Sequence, residues 1–136
     1  MHNVYFYLAV SGVLTVLMWI PYILARLFTW GLPTFLHNYP KGFPVDQPEP
    51  PLWAERAKRA HLNMVETMPA FIAVVVAAAS LNLASTGEAV GHWAMIFFYA
   101  RIVYWVVYVV GVPYLRTPTY LISWAAILMI GAQVVG

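Results

Sequence analysis

Residues 59–83 read RAHLNMVETMPAFIAVVVAAASLNL, a segment that is polar at its start and almost wholly apolar afterwards. A stretch of ~20 mostly apolar residues is long enough to cross the hydrocarbon core of a bilayer as a helix. Ionisable groups at the head of such a helix are costly, so they usually face a bundle interior or a water-filled cavity. Arg59, Asn63 and Glu66 are spaced by four and three residues, which places them on one helical face. The segment therefore predicts a membrane helix that carries a candidate site.

The composition of the whole chain indicates an integral membrane protein. Of its 136 residues, 62% are hydrophobic and 9% are charged, and the mean hydropathy is +0.74. Soluble domains are roughly 45–50% apolar and about 25% charged. The apolar stretches are continuous, which favours helices over a closed barrel whose strands alternate over about ten residues. We predict one domain, 1–136, with a lipid bilayer and no nucleic acid as partner, and with spans over residues 4–30, 53–83, 90–112 and 118–135.

The connections between the spans predict how the helices are arranged. Residues 31–51 contain six prolines, which remove backbone donors and disfavour helix, so an extended loop is expected there. The second connection is a short polar turn, and the third is equally tight. Short connections force neighbouring spans to run antiparallel, so the fold class is an all-α, up-down bundle of four transmembrane helices.

The basic residues predict the orientation of the bundle in the membrane. Five of the seven lie in or beside the connections after the first and third spans: Lys41, Arg56, Lys58, Arg59 and Arg116. The amino-terminal tail, the connection between the second and third spans, and the carboxy-terminal end contain none. By the positive-inside rule we expect both termini on the non-cytoplasmic side of this multi-pass protein, with the polar face of the second span opening toward the cytoplasm.

The third span carries polar residues that complement this face. Arg101, Tyr104 and Tyr108 are spaced by three and four residues, so they share a face inside an apolar helix. An arginine at that depth needs a counter-charge, and Glu66 is the only acidic residue in any of the apolar stretches. One interpretation is an ion pair between Arg101 and Glu66 that ties two helices together. The other is a ligand pocket.

Two further arginines extend the second interpretation. Arg116, followed by Tyr120, lies between the third and fourth spans, and Arg26 lies near the end of the first. Each is also explained as a positive-inside or snorkelling residue. Arginine forks suit carboxylates, and a lone carboxylate suits an ammonium group, so the expected ligand is zwitterionic and amino-acid-like or peptide-like. No metal is expected, because the histidines lack ligand spacing with acidic partners and the chain has no cysteine.

Two segments resemble the signatures of a known family. Residues 55–71, ERAKRAHLNMVETMPAF, resemble the signature of the MAPEG family, the membrane-associated proteins in eicosanoid and glutathione metabolism. Residues 101–108, RIVYWVVY, followed by residues 115–120, LRTPTY, look like the family's second signature. Leu62 and Thr67 depart from the prostaglandin-forming and leukotriene-forming branches respectively. The chain looks more like the generalist microbial members of the family.

The resemblance implies a homotrimer that holds glutathione between neighbouring subunits near the cytoplasmic side. It implies a membrane-bound glutathione transferase, with glutathione-dependent peroxidase activity as an extension, acting on hydrophobic electrophiles from the bilayer. Arg116 matches the arginine that is proposed to stabilise the glutathione thiolate, which is the catalytic role. The other positions that match or adjoin glutathione contacts are Arg26, Arg59, Asn63, Glu66, Tyr104, Tyr108 and Tyr120.

Two other functions stay open at this point. The family also includes members that bind and regulate partners, so the alternative is a non-catalytic membrane scaffold or regulatory protein of the same fold. A small transporter or channel subunit is a poorer interpretation, because four spans with one modest polar cluster provide no continuous polar path.

Overall fold

The computed structural model describes residues 2–32, 36, 51–81 and 87–135, and its secondary structure there is helical with turns. Most of the proline-rich connection and residues 82–86 of the second connection, both of which entered the predictions above, lie outside these ranges. The helices are α1 (His2–Leu17), α2 (Trp19–Trp30), α3 (Leu52–Ser80), α4 (Gly87–Val110) and α5 (Arg116–Val135). They supply four spans long and apolar enough to cross a membrane. The prediction of a four-helix membrane bundle is confirmed.

The first span consists of two helical segments because of Pro21. A proline inside a helix lacks the N–H that would bond the carbonyl four residues earlier, and its ring clashes with that carbonyl. That carbonyl belongs to Leu17, where α1 ends. Met18 keeps helical dihedral angles (φ −64°, ψ −21°), and its N–H donates to the Leu14 carbonyl at 3.0 Å. The predicted span over residues 4–30 is therefore one crossing with an interruption that the apolar pattern did not indicate.

Side-chain contacts show that α3 and α4 run antiparallel. The rings of Phe71 and Phe97 stack with centroids 3.9 Å apart and planes 11° from parallel. Further toward the start of α3, Asn63 hydrogen-bonds to Arg101, which lies further toward the end of α4. Because residue numbers fall on one helix as they rise on the other, the two helices point in opposite directions.

The contacts of α4 with α5 follow the same inverse order. Tyr104 packs against Tyr120 with ring centroids 6.3 Å apart, and Arg101 contacts Ser123 one turn further along α5. The connection between the two helices is short, and its Gly111 has a φ of +85° that side chains rarely allow. The end of α4 and the start of α5 therefore lie side by side, together with the first half of α3.

The contacts of α1 with α4 rise in the same direction on both helices. A Cβ placed on Gly91 would lie 3.3 Å from the Cβ of Asn3, and further along both helices Tyr7 contacts Phe98 with ring centroids 6.0 Å apart. The first and third spans are therefore parallel, as an up-down bundle requires. Glycine at position 91 lets the two backbones approach closely.

The core is aromatic and aliphatic, and the outer surface is also apolar. Large side chains that are fully buried between the helices include Phe71, Phe97, Met18, Met64 and Ile130. Exposed large apolar residues occur on every helix, for example Val76, Val106 and Leu128, each about half exposed. A surface of this kind is stable in contact with lipid rather than with water.

Candidate functional site

A pocket of about 470 Å³ lies where α3, α4 and α5 meet near one end of the bundle. Small-molecule sites usually have volumes of roughly 300–1,000 Å³. Seven of the eight residues that the sequence singled out as site residues line this pocket. The complete lining is Arg59, Leu62, Asn63, Glu66, Tyr104, Tyr108, Arg116, Thr117 and Tyr120.

The first half of α3 contributes the polar wall of the pocket. Its residues at positions 59, 62, 63 and 66 recur at helical spacing, while the neighbouring stripe of Ala60, Met64 and Met68 is buried in the core. The burial of that apolar stripe fixes the rotation of the helix. As a result Arg59 and Glu66 are exposed at the edge of the bundle and Asn63 is half-buried between them.

Arg101 is fully buried and contacts two residues that line the pocket. Its Nη2 donates to Oδ1 of Asn63 at 2.8 Å, and its guanidinium carbon lies 4.4 Å from the centre of the Tyr104 ring. Its Nη1 lies 3.5 Å from Oγ of Ser123. Within the part of the chain that the structure describes, no ion pair joins Arg101 to Glu66. The interpretation of these two residues as a helix-tying ion pair is therefore wrong, because neutral groups hold the arginine.

A line of aromatic and cationic contacts crosses the floor of the pocket. The guanidinium of Arg116 lies 5.0 Å from the ring centre of Tyr108, within the range of about 6 Å for a cation–π contact. Tyr108 packs edge-to-face on Tyr104 at 5.7 Å and 84°, and Tyr104 packs against Tyr120. Arg116 is the first residue of α5 and is exposed, so its guanidinium is held by the ring yet accessible to an anion.

The charged residues of the pocket are not paired with one another. Arg59, Glu66 and Arg116 are exposed, and none forms an ion pair with another described residue. Glu55, which precedes Arg59 by one turn on α3, likewise forms no ion pair with it. Two guanidinium groups and one carboxylate around one pocket match a ligand with acid groups and an ammonium group.

Arg26 is not among the residues that line this pocket. Its guanidinium lies over the rings of Tyr22 and Trp30, 5.5 and 5.8 Å from their centres. The Tyr22 hydroxyl in turn lies 2.9 Å from Nδ1 of His61 on α3. Within one chain Arg26 belongs to a separate contact between α2 and α3, and its role in ligand binding stays a prediction.

Three residues of the site were not identified as such from the sequence. Leu62 and Thr117 line the pocket, and Ser123 contacts Arg101 while its hydroxyl donates to the Tyr120 carbonyl at 2.7 Å. The spacing offered a signal for Ser123, since it follows Arg116 and Tyr120 at steps of four and three on α5. Leu62 stood out only as a departure from the prostaglandin-forming branch, because an apolar residue on a membrane helix is not by itself a signal of a site.

Comparison with known proteins gave one match. A family model described as the MAPEG family matches residues 4–136 of the chain. No curated protein and no solved structure matched it. The matched range contains all the residues that line the pocket.

Proposed function

This chain belongs to the MAPEG family, and from that premise we propose that it is a membrane-bound glutathione transferase that conjugates glutathione to hydrophobic electrophiles. The family includes glutathione transferases and peroxidases as well as non-catalytic members. The observation that carries the proposal is the pocket itself, where Arg59, Glu66 and Arg116 converge from two helices with no ion pair to another described residue.

The donors and acceptors of the pocket fit the groups of glutathione, which has two carboxylates, one ammonium and one thiol. The two arginines would bind carboxylates, and Glu66 would bind the ammonium group. Oδ1 of Asn63 already accepts from Arg101, which leaves its amide N–H₂ to donate to the ligand. The hydroxyls of Tyr104, Tyr108 and Tyr120 have no hydrogen-bond partner among the described residues and are available as well.

Arg116 would carry the catalytic role. A free thiol has a pKa of roughly 8.5, and only the thiolate is a strong nucleophile. A guanidinium beside the sulfur favours the thiolate and lowers that pKa, so the thiol proton is released to solvent. The sulfur lone pair then forms the bond to the electrophilic carbon, and the leaving group departs with its bonding pair. Lipid hydroperoxides are a second class of acceptor for the same thiolate.

The acceptor would enter from the bilayer. Leu62 lines the pocket and is 46% exposed, and the outer surface of α3 beyond it is apolar, with Val65 and Ile72 each more than 40% exposed. An apolar molecule dissolved in lipid can therefore reach the edge of the pocket along the part of this surface that a neighbouring subunit leaves in contact with lipid. This arrangement supports hydrophobic electrophiles as the substrate class.

We also infer a homotrimer whose pockets open toward the cytoplasm. The charged residues of the pocket are exposed in a single chain, so a neighbouring subunit would supply the missing wall. The basic residues cluster at this end of the bundle, which supports a cytoplasmic orientation. Chemical cross-linking in membranes should give a ladder that stops at three chains, and a ladder that stops at one or two contradicts the trimer.

Turnover with a simple electrophile tests the activity. Purified protein in detergent is assayed with glutathione and 1-chloro-2,4-dinitrobenzene, with Arg116→Ala as the test variant. We expect a loss of turnover on the order of 10²-fold, the usual cost of removing one group that stabilises a developing anion. Lys58→Ala removes a positive charge from the same end of the bundle but outside the pocket, so it should retain wild-type turnover.

The outcomes separate the two functions. Wild-type protein that neither turns over substrate nor binds glutathione by calorimetry contradicts the transferase. Glutathione binding without turnover of any electrophile or hydroperoxide would instead support the non-catalytic scaffold.

A further inference from the structure

A second pocket, of about 410 Å³, lies between α1 and α4 at the other end of the bundle. Glu88 in this pocket and Tyr104 in the first are sixteen residues apart on α4, which corresponds to about 24 Å along the helix. The two pockets share no residue. Asn3, Phe6 and Tyr7 on α1 face Glu88, Gly91 and His92 on α4.

Glu88 gives this pocket a negative charge that no cation in the described structure balances. It is exposed, it forms no ion pair with a described residue, and the lining contains neither lysine nor arginine. An acidic residue in the first turn of a helix stabilises the helix dipole, which is a sufficient reason for a carboxylate at this position. It does not account for the cavity or for its aromatic wall.

The aromatic wall is formed by neighbouring rings of α1. The rings of Phe6 and Tyr7 are 5.0 Å apart at 84°, and Tyr7 also packs edge-on against Tyr99 of α4 at 6.2 Å. Ring faces attract cations, most strongly the weakly hydrated ammonium groups. A carboxylate and aromatic faces on one pocket therefore match an ammonium ligand.

The same pocket offers donors for an anion. The side-chain amide of Asn3 and the imidazole of His92 belong to the lining, and both α1 and α4 begin at this end of the bundle. Helix N-termini favour phosphate through their free N–H groups and their dipole. An anionic group bonded to an ammonium group thus fits the pocket better than a simple cation does.

We propose that this pocket binds the headgroup of a zwitterionic phospholipid. Glu88 and the rings of Phe6 and Tyr7 hold the ammonium group, and Asn3 and His92 hold the phosphate. The pocket lies at the ends of two membrane spans, at the level where headgroups meet the hydrocarbon core. The lipid acyl chains would then run along the exposed apolar surface of α1, which includes Val13 and Val16.

Competitive lipid retention tests the proposal. Full-length protein in detergent is incubated with equal amounts of phosphatidylcholine, phosphatidylethanolamine and phosphatidylglycerol that carry identical acyl chains. Retained lipid is quantified by mass spectrometry after washing. We expect one or both zwitterionic lipids to be retained in preference to the anionic phosphatidylglycerol. Stronger retention of phosphatidylcholine indicates that the pocket prefers the methylated ammonium group, and stronger retention of phosphatidylethanolamine indicates the primary ammonium group.

The Glu88→Gln variant tests whether the lipid preference comes from this pocket. It should reduce the preference over phosphatidylglycerol roughly tenfold, since the loss of one charge-assisted contact to the ammonium group is worth about one power of ten. Glu55→Gln is the matched control, because it makes the same change at the opposite end of the bundle, and it should retain the wild-type preference. Phe6→Leu, which keeps an apolar side chain but removes the ring, should lower retention while leaving the melting curve by circular dichroism near that of the wild type.

Two results overturn the proposal. One is wild-type protein that retains phosphatidylglycerol as strongly as the zwitterionic lipids. The other is a Glu88→Gln variant that folds and keeps the wild-type preference.

Discussion

The partner of Arg101 can be identified by a pair of double-mutant cycles. In the structure this buried guanidinium donates to Oδ1 of Asn63 at 2.8 Å and has no contact with Glu66. The first cycle combines Arg101→Met with Asn63→Ala, and the second combines Arg101→Met with Glu66→Gln. Methionine keeps an unbranched side chain in the core while removing the charge.

The geometry sets the expected size of each coupling free energy. A hydrogen bond to a charged group contributes about 1.5–3 kcal/mol, whereas side-chain hydrogen bonds within membranes contribute up to about 1.7 kcal/mol. The 2.8 Å bond to Asn63 is short and partly buried, so we expect about 2 kcal/mol for the first cycle. The effects of two substitutions on the unfolding free energy add to within about 0.5 kcal/mol when the two sites share no contacts. We therefore expect a coupling free energy of no more than about 0.5 kcal/mol for the second cycle.

The Asn63→Ala variant alone should be costly. Nε of Arg101 already lacks a partner in the described structure, and the loss of Asn63 leaves only the long contact to Ser123 and the ring of Tyr104. A buried charge that loses its partner destabilises a protein by about 3 kcal/mol or more. The remaining contacts with Ser123 and Tyr104 should offset part of this cost.

The assay is unfolding of the single and double variants in mixed dodecylmaltoside and SDS micelles, followed by far-UV circular dichroism. A coupling of Arg101 to Glu66 as strong as its coupling to Asn63 contradicts the assignment of Asn63 as the partner. Two couplings below about 0.5 kcal/mol contradict it as well, because the arginine would then have no specific partner.

Three further predictions concern other contacts. Gly111→Ala should destabilise the protein by about 1–2 kcal/mol in the same unfolding assay, because position 111 has a φ of +85° and its Cβ would lie 2.7 Å from Cζ of Arg56. Adding Arg56→Ala should remove the clash with the guanidinium but not the backbone strain, so it should recover only part of the lost stability. Ser123→Ala should cost about 1 kcal/mol, less than Asn63→Ala, since its contact with Arg101 is 3.5 Å long; an equal or larger loss contradicts this ranking. The pH–rate profile of wild-type conjugation should have its midpoint below ~8.5. Arg116→Gln should move that midpoint up toward ~8.5, because removing the guanidinium raises the pKa of the bound thiol. Coincident profiles for the wild type and the variant contradict the role of Arg116.

The continuous apolar stretches were sufficient to predict the four spans, and the spacing of the polar residues was sufficient to predict most of the pocket lining. Continuous hydrophobic stretches determine which segments cross a bilayer, and spacings of three and four residues determine which side chains share a helical face. Tyr104 and Tyr108 on α4 and Arg116 and Tyr120 on α5 are therefore recognisable as two faces. The antiparallel order of neighbouring spans then brings both faces to the polar end of α3.

The partner of Arg101 could not be read from the sequence. Both Asn63 and Glu66 lie on the polar face of α3, one turn apart, and the charge of Glu66 made it the expected partner. The rotation and register of the helices decide between them, and these depend on packing such as the stacked pair of Phe71 and Phe97. That packing places the Asn63 oxygen within hydrogen-bond distance of Arg101 and leaves the Glu66 side chain exposed.

The interruption of the first span was also not predicted. Pro21 stands inside an unbroken apolar stretch, and membrane helices tolerate proline because neighbouring groups compensate for the lost backbone bond. Hydropathy alone does not show whether such a proline bends a helix or divides it. The separate position of Arg26 follows from the aromatic rings of Tyr22 and Trp30, whose contacts with it are local to α2.

Calorimetric titration of glutathione into the wild-type protein and two variants, in lipid nanodiscs, measures whether the pocket binds glutathione. The pocket formed by α3, α4 and α5 predicts saturable binding to the wild type. It predicts a loss of affinity of about tenfold or more for both Arg59→Gln and Glu66→Gln, since each removes one charge-assisted contact. Lys58→Gln, outside the pocket, should bind as the wild type does. Absence of binding to the wild type, or unchanged affinity in both pocket variants, contradicts the assignment of this pocket to glutathione.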